Sequence, residues 1–199
     1  VGTTPGKTHH PDESQRDSAP QPGDGTTPGV GPHGFDNPER VVEFGRLPMP
    51  QSLSRIYLHL IFSTKNRERL LTGVDLRQAL HAYMGATLKQ LDCMPVEIGG
   101  VDDHVHILCL FPRTQSVADV VKETKRVSTN WLREQGPGLR AFHWQAGYGV
   151  FSVSQSGVDD VVEYIRRQEE HHRKLTFQDE YRAFLKKHAV DFDERYVWD

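Results

Sequence analysis

From Leu53 onward the spacing of apolar residues alternates between a period of two and a helical period, and the order of those switches leaves few folds open. Over 53–63, Ile56, Leu58, Leu60 and Phe62 fall on one side and Tyr57, His59 and Ile61 on the other, which predicts a strand. Leu76, Leu80, Tyr83, Met84, Leu88 and Leu91 have helical spacing and predict a helix over 74–91. Residues 95–100 form a second short strand, the turn Gly99-Gly100-Val101-Asp102-Asp103 follows, and 104–111 alternates as a third. Ser116 and Asp119 make a capping box for a helix marked by Val117, Val120, Val121, Val127 and Trp131, which closes at Gly136-Pro137-Gly138. A fourth strand is predicted over 148–154. Ser156 and Asp159 repeat the capping signal, opening a third helix expected to run to Lys174 with Val158, Val161, Val162 and Ile165 buried. A last short helix is expected over 178–188. This order is that of an α+β, ferredoxin-like split βαβ fold: a four-stranded, mainly antiparallel sheet with two helices on one face and a further helix carrying Tyr164. In that topology the first and third strands are the central pair, and the sheet face away from the two helices is expected to be open.

The chain has 199 residues, but its first part has a different composition. Residues 1–50 are crowded with Pro, Gly, Thr, Ser and Asp and show no periodicity that could bury a core, so they are expected to form a disordered extension to a domain spanning 52–199. About 150 residues of the second kind can bury roughly two thirds of their unfolded surface. Met49 immediately precedes the change and is the expected translation start of the functional protein, leaving 1–48 as an upstream extension. Cys93 and Cys109 are too few for a disulfide framework, and Cys109, within a strand, is expected in the core. No stretch approaches the ~18 apolar residues of a membrane span and no export signal is evident, so the cytoplasm is the default location. The net charge of −3 does not announce a nucleic-acid partner, although acidic residues of the tail and C-terminus mask local basic clusters.

His104 and His106 stand two apart in a strand, so both imidazoles leave the same face at a spacing that can meet one cation. Two donors do not make a site, and a His-x-His pair also suits plain hydrogen-bonded histidines. Tyr164 and Gln168, four apart, share a helix face with His171 along the edge of the apolar stripe. A tyrosine there is held by its ring and can present its oxygen, or can simply pack. His59 could share the sheet face of His104. Basic side chains cluster at Lys65, Arg67 and Arg69 after the first strand and at Lys122, Lys125, Arg126 and Arg133 on the second helix, as phosphate contacts would require, and as a solvated face would too.

Taken together, these residues identify a resemblance. His59-Leu-Ile-Phe-Ser-Thr-Lys-Asn-Arg67, Gly100-Val-Asp-Asp-His-Val-His-Ile107, Trp144-Gln-Ala-Gly-Tyr-Gly-Val-Phe-Ser-Val-Ser154, Tyr164-Ile-Arg-Arg-Gln-Glu-Glu-His-His172 and the ending Asp-Glu-Arg-Tyr-Val-Trp-Asp resemble the HUH-type single-tyrosine transposases of the insertion sequence 200/605 family. The likeness runs from Leu53 nearly to the end. Carried over position by position, it implies that the HUH motif is His104-Val105-His106, that Tyr164 is the nucleophile, and that Gln168 is the third protein ligand of a cation. Imidazole nitrogens and an amide oxygen suit Mg²⁺ or Mn²⁺ better than a structural zinc. The resemblance further implies cleavage and rejoining of single-stranded DNA through a 5′-phosphotyrosine, hairpins near the element ends, and a homodimer in which Tyr164 of one subunit could complete the other's site. The DNA contacts expected are Lys65, Arg67, Lys122, Lys125, Arg126 and His171. A phenol with a pKa near ~10 needs activation, and the sequence names no base for it.

Other readings fail or stay open. Asp102-Asp103-His104-Val105-His106 is also similar to the opening metal motif of amidohydrolase barrels, which need roughly 250 residues. Histidine-triad hydrolases would place their next alternating histidine where Leu108 stands, and Gly2-Thr3-Thr4-Pro5-Gly6-Lys7-Thr8 is one residue short of a P-loop and follows no strand. A hairpin-DNA-binding regulator derived from a transposase, without strand-transfer activity, is the non-enzymatic alternative.

Overall fold

The computed structural model describes residues 52–173 and 175–198. The expectations about the N-terminal extension and Met49 lie outside those residues. The strands are β1 (Ile56–Ser63), β2 (Met94–Gly100), β3 (His104–Phe111) and β4 (Gly149–Val153), and they form one sheet of order β2-β3-β1-β4. Every pairing is antiparallel, with β1 and β3 central. The helices are α1 (Val74–Gln90), α2 (Val117–Glu134), α3 (Val158–Arg166), α4 (Gln168–His171) and α5 (Phe177–Lys187). This is the α+β ferredoxin-like arrangement that the order of periodicities implies. Among the described residues no helix is long and apolar enough to cross a membrane.

Alternation along the two central strands sorts their side chains onto two faces. On one face Leu60, Phe62, Val105, Ile107, Cys109 and Phe111 meet Leu80, Met84 and Leu88 of α1 and Val120, Val121 and Leu132 of α2. Each fully buried Leu or Phe of this kind contributes roughly 1.5–3 kcal/mol. Cys109 is fully buried in this layer, the core role expected of it. Ser116 caps α2 as its sequence predicts, its side chain accepting from the Asp119 backbone N–H.

The opposite face is not the open surface that the split βαβ pattern leads one to expect. Ile61 and Phe151 pack against Phe177, Tyr181 and Leu185 of α5, and Leu108 packs against Val158 and Ile165 of α3. The C-terminal helices therefore close a second core over the sheet. The third helix also departs from its expected form. Its cap is Gly157 rather than Ser156, because Ser156 lies within a short 3-10 turn, Gln155–Gly157, that leads into the helix. It stops at Arg166, where Arg167 adopts φ −95° and ψ 14°, and α4 begins one residue later. Thr176 caps α5 by accepting from the Asp179 N–H, a signal that the sequence reading passed over.

Two contacts hold α3 against β2. Arg166 pairs with Glu97 at 2.8 Å, and Gly99 lets the helix approach so closely that a Cβ there would stand 2.7 Å from Ile165 Cγ2 and 2.8 Å from the Ile165 carbonyl oxygen. Backbone cannot yield as a side-chain end can. Gly99→Ala should therefore lower the free energy of unfolding in urea by about 1–3 kcal/mol. A denaturation curve superposable on the wild type would show that α3 does not depend on this approach.

Candidate functional site

The register of β1 against β3 pairs Ser63 with His104 and Ile61 with His106, so the imidazoles of His59, His104 and His106 share the face covered by α3, α4 and α5. His104 and His106 are fully buried. His104 Nδ1 bonds Asp103 Oδ1 at 2.6 Å, which turns Nε2 toward the helices. His106 Nδ1 lies 3.0 Å from His59 Nε2. When His106 donates in that bond, its Nε2 lone pair points into the same space, and that buried nitrogen has no hydrogen-bond partner. An outer partner that fixes the tautomer of each imidazole is the usual support of a metal-ligating histidine.

Glu180 lies between these nitrogens and the helices. Projected from α5, it is 2% exposed. Its Oε2 lies 3.7 Å from His104 Nε2, 3.6 Å from His106 Nε2 and 3.1 Å from His172 Nε2. The other oxygen, Oε1, accepts from the Tyr164 hydroxyl and from Gln168 Nε2, the latter at 3.1 Å. Because Gln168 donates its amide nitrogen to Glu180, its Oε1 is turned toward His104 Nε2, 3.3 Å away. The expected residues His104, His106, Tyr164 and Gln168 thus converge within one subunit. His171 stands at their border, 3.8 Å from Glu180 Oε1 with its ring 5.3 Å from that of Tyr164. Tyr164 is half-buried, its ring edge-on to His106, His171 and Phe184.

Sequence reasoning missed Glu180 and assigned no role to His172 or Asp103. A signal for Glu180 existed: Phe177, Glu180, Tyr181, Phe184 and Leu185 recur at helical spacing, which puts a carboxylate in the middle of an apolar stripe.

Burial dominates the electrostatics. It lowers the pKa of His59 and His106 well below the usual imidazole range, helped by neighbouring histidines, and lowers that of His172 to about 4. Burial also raises the Glu180 carboxyl to about 7, opposed by His104 and reinforced by Asp103. Burial pushes Asp103 upward, but the hydrogen bond with His104 and nearby positive charge hold it below its ordinary value. Imidazole nitrogens and a carboxyl oxygen, with ligand atoms of His104, His106, His172 and Glu180 all within 4.8 Å of one another, form a donor set compatible with a divalent metal. The unpartnered His106 Nε2 is the atom that such an ion would satisfy.

The expected DNA-contact residues separate into groups. Lys65 is exposed just after β1, and the Arg67 guanidinium lies 5.6 Å over the Trp198 ring. Lys122 and Arg126 line a groove of about 460 Å³ with Arg133, His143, Trp144 and Tyr148, although Arg126 also pairs with Glu123 at 2.6 Å. Lys125 lines the same groove. Its ammonium donates to the carbonyls of Gln145, Ala146 and Gly147 at 3.0, 3.3 and 2.7 Å and sits over the Phe62 ring, and burial brings its pKa down to about 8. From the groove wall it fastens the loop before β4. The cleft beside Tyr164, of about 640 Å³, is rimmed by Asp160, Glu163 and Glu170 as well as Arg167 and His171.

Fold and sequence together define the class. The chain belongs to the family described as Transposase IS200 like, which residues 52–168 match. It is 26% identical over 138 residues to the ISDra2 transposase TnpA of Deinococcus radiodurans, a match covering 61% of this chain and 94% of that protein. Among solved structures it is similar to a transposase of Deinococcus radiodurans R1 at 22% identity and a TM-score of 0.48, covering 60% of this chain and 95% of that one. A REP-associated tyrosine transposase bound to a REP hairpin is similar at 16% identity and a TM-score of 0.46, covering 62% and 74%.

The pKa directions fix a sign. His59, His106 and His172 have folded values below the ~6.5 of an unfolded imidazole, so below that pH the unfolded chain binds more protons and their contribution to stability is lost as pH falls, toward about 4 for His172. Glu180, raised to about 7, acts oppositely: its contribution is present below ~4.5 and lost as pH rises through 7. Three imidazoles outweigh one carboxyl. In EDTA, the urea midpoint should fall between pH 7 and pH 5, and His172→Gln should make that fall shallower. An equal slope in the variant would contradict the assignment.

Proposed function

We propose that this chain cleaves and rejoins single-stranded DNA at the ends of an insertion sequence, with Tyr164 as the nucleophile. The observation that carries this reading is the meeting of the Tyr164 hydroxyl, the Gln168 amide and the Nε2 atoms of His104 and His106 around one buried carboxylate. Membership of the transposase family supports it independently. His104, His106 and Gln168 would hold Mg²⁺ or Mn²⁺, and that ion, when bound, would polarise the scissile phosphate and neutralise charge on its non-bridging oxygens.

The tyrosine oxygen attacks phosphorus in line as the bond from phosphorus to the 3′ oxygen breaks. The products are a 5′-phosphotyrosine and a free 3′-hydroxyl. Glu180 Oε1 faces the phenolic proton that must leave. The ester keeps the energy of the broken bond, so attack by another 3′-hydroxyl reverses the step without nucleotide hydrolysis. Half-burial suits Tyr164 to this work, since its ring is fixed among His106, His171 and Phe184 while its oxygen stays at the site.

Lys65, Arg67, Lys122, Lys125, Arg126 and His171 are the residues we assign to the DNA, with Arg133 joining Lys122, Lys125 and Arg126 on the α2 groove. Hairpin recognition and a homodimer belong to the same reading, by resemblance to the family. Because the four site residues meet inside one subunit, the reading favours a site complete within each chain.

Labelled single-stranded DNA carrying the element's own ends, incubated with Mg²⁺ or Mn²⁺, should yield a protein-DNA adduct that survives denaturation. Tyr164→Phe should abolish it and chelation should prevent it. An adduct undiminished in that variant would mean that another side chain is the nucleophile.

A further inference from the structure

The donor set assigned by resemblance is electrically neutral. Two imidazoles and a carboxamide would leave a divalent ion in a buried site without an anionic protein ligand, whereas hard cations such as Mg²⁺ and Mn²⁺ favour carboxylate oxygens. A buried carboxylate is present at that place. Among the described residues the ion-pair partners of Glu180 are histidines alone, with no lysine or arginine to balance it. An unbalanced buried charge is costly, and a cation is the partner that the position lacks.

Distances agree with this. Donors bound to one ion at about 2.1 Å stand roughly 3.0–3.5 Å apart in octahedral or tetrahedral geometry. Glu180 Oε2 is 3.6 Å from His106 Nε2 and 3.7 Å from His104 Nε2, and Gln168 Oε1 is 3.3 Å from His104 Nε2. These three separations lie within a few tenths of an ångström of that range. The support of Glu180 is rigid: Thr176 caps α5, Phe177 and Tyr181 are buried on either side of it, and Tyr181 stacks on Phe177 with ring centroids 5.5 Å apart.

We propose that Glu180 is a fourth protein ligand of the cation through Oε2, and that through Oε1 the same carboxylate holds the Tyr164 hydroxyl beside the ion. This rests on the metal-dependent reading above and adds to it an anionic oxygen among the ligands of the ion. It also gives Gln168 a defined orientation: the amide nitrogen bound to Glu180 leaves the amide oxygen for the ion.

The test is Mn²⁺ titration of the full chain without DNA, followed by the electron paramagnetic resonance signal of the free ion. Wild type should bind one ion, Glu180→Gln should weaken binding roughly tenfold or more, and Glu180→Asp should lie between them. His106→Ala should lose the site. If His106→Ala loses binding while Glu180→Gln keeps wild-type affinity, Glu180 is not a ligand and the metal-dependent reading still stands. If His106→Ala also keeps it, or the wild type binds no ion, both fall. Should Glu180→Gln not fold, as judged by circular dichroism, wild-type crystals soaked in Mn²⁺ decide the matter. A Glu180 oxygen at about 2.1 Å from the anomalous peak supports the proposal. An ion held by His104 and His106 with the carboxylate outside contact overturns it.

Discussion

Closure of the second sheet face is the constraint from which the rest follows. β1 and β3 place His59, Ile61, His104, His106 and Leu108 on the side away from α1 and α2, and a face that is half apolar cannot be left to water. α3 and α5 cover it, with Ile165 and Val158 over Leu108 and with Phe177, Tyr181 and Leu185 over Ile61 and Phe151. The polar atoms caught beneath that cover then had to find one another, since each buried group left unpaired costs about 1–3 kcal/mol. Asp103 pairs with His104 Nδ1, His59 pairs with His106 Nδ1, and Glu180 collects Tyr164, Gln168 and His172, which leaves His106 Nε2 as the unpartnered atom of the cluster. The polar cluster is thus a consequence of the packing as much as a decoration of it.

What could be read from the sequence was what short-range periodicity encodes. Strand alternation put both site imidazoles on one face, and β3 begins and ends where the alternation of 104–111 does. Helical spacing put Tyr164 at the edge of an apolar stripe, where the structure finds it half-buried. What escaped was tertiary. The break at Arg167 leaves no mark in a pattern of charged residues with good helix propensity. Covering of the second face depends on α5, whose stripe could be read but whose docking partner could not.

Glu180 and Lys125 show the same limit from opposite sides. A glutamate in the first turn of a helix reads as a dipole-compensating surface charge, yet this one is buried because its helix presents it together with Phe177, Tyr181 and Leu185. A lysine within a run of basic residues reads as a phosphate contact, and Lys125, on the wall of the basic groove, also reaches back over Phe62 to three successive carbonyls, which its sequence position does not disclose. Long side chains carry their charged ends several ångströms from the backbone, so helical position fixes their root and not their tip. For such residues the identity of the neighbour decides, and that neighbour lies outside any local window.

Charge distribution bears on how a chain of net charge −3 could meet a polyanion. The α2 groove has no carboxylate among its lining residues, while the cleft beside Tyr164 has Asp160, Glu163 and Glu170 on its rim. Phosphates are therefore attracted at one place and repelled at the other. Arg167 offsets the rim in part, pairing with Glu163 at 3.2 Å and Glu170 at 3.4 Å, but exposed pairs of this kind are screened and weak. Under the proposed reading, grip and chemistry are separated: cationic side chains on α2 hold the strand, and a bound cation is what makes the acidic neighbourhood of Tyr164 tolerable to the one phosphate that must enter it. Such a site would admit a phosphate in proportion to its metal occupancy, which couples strand entry to the presence of the ion that the chemistry needs.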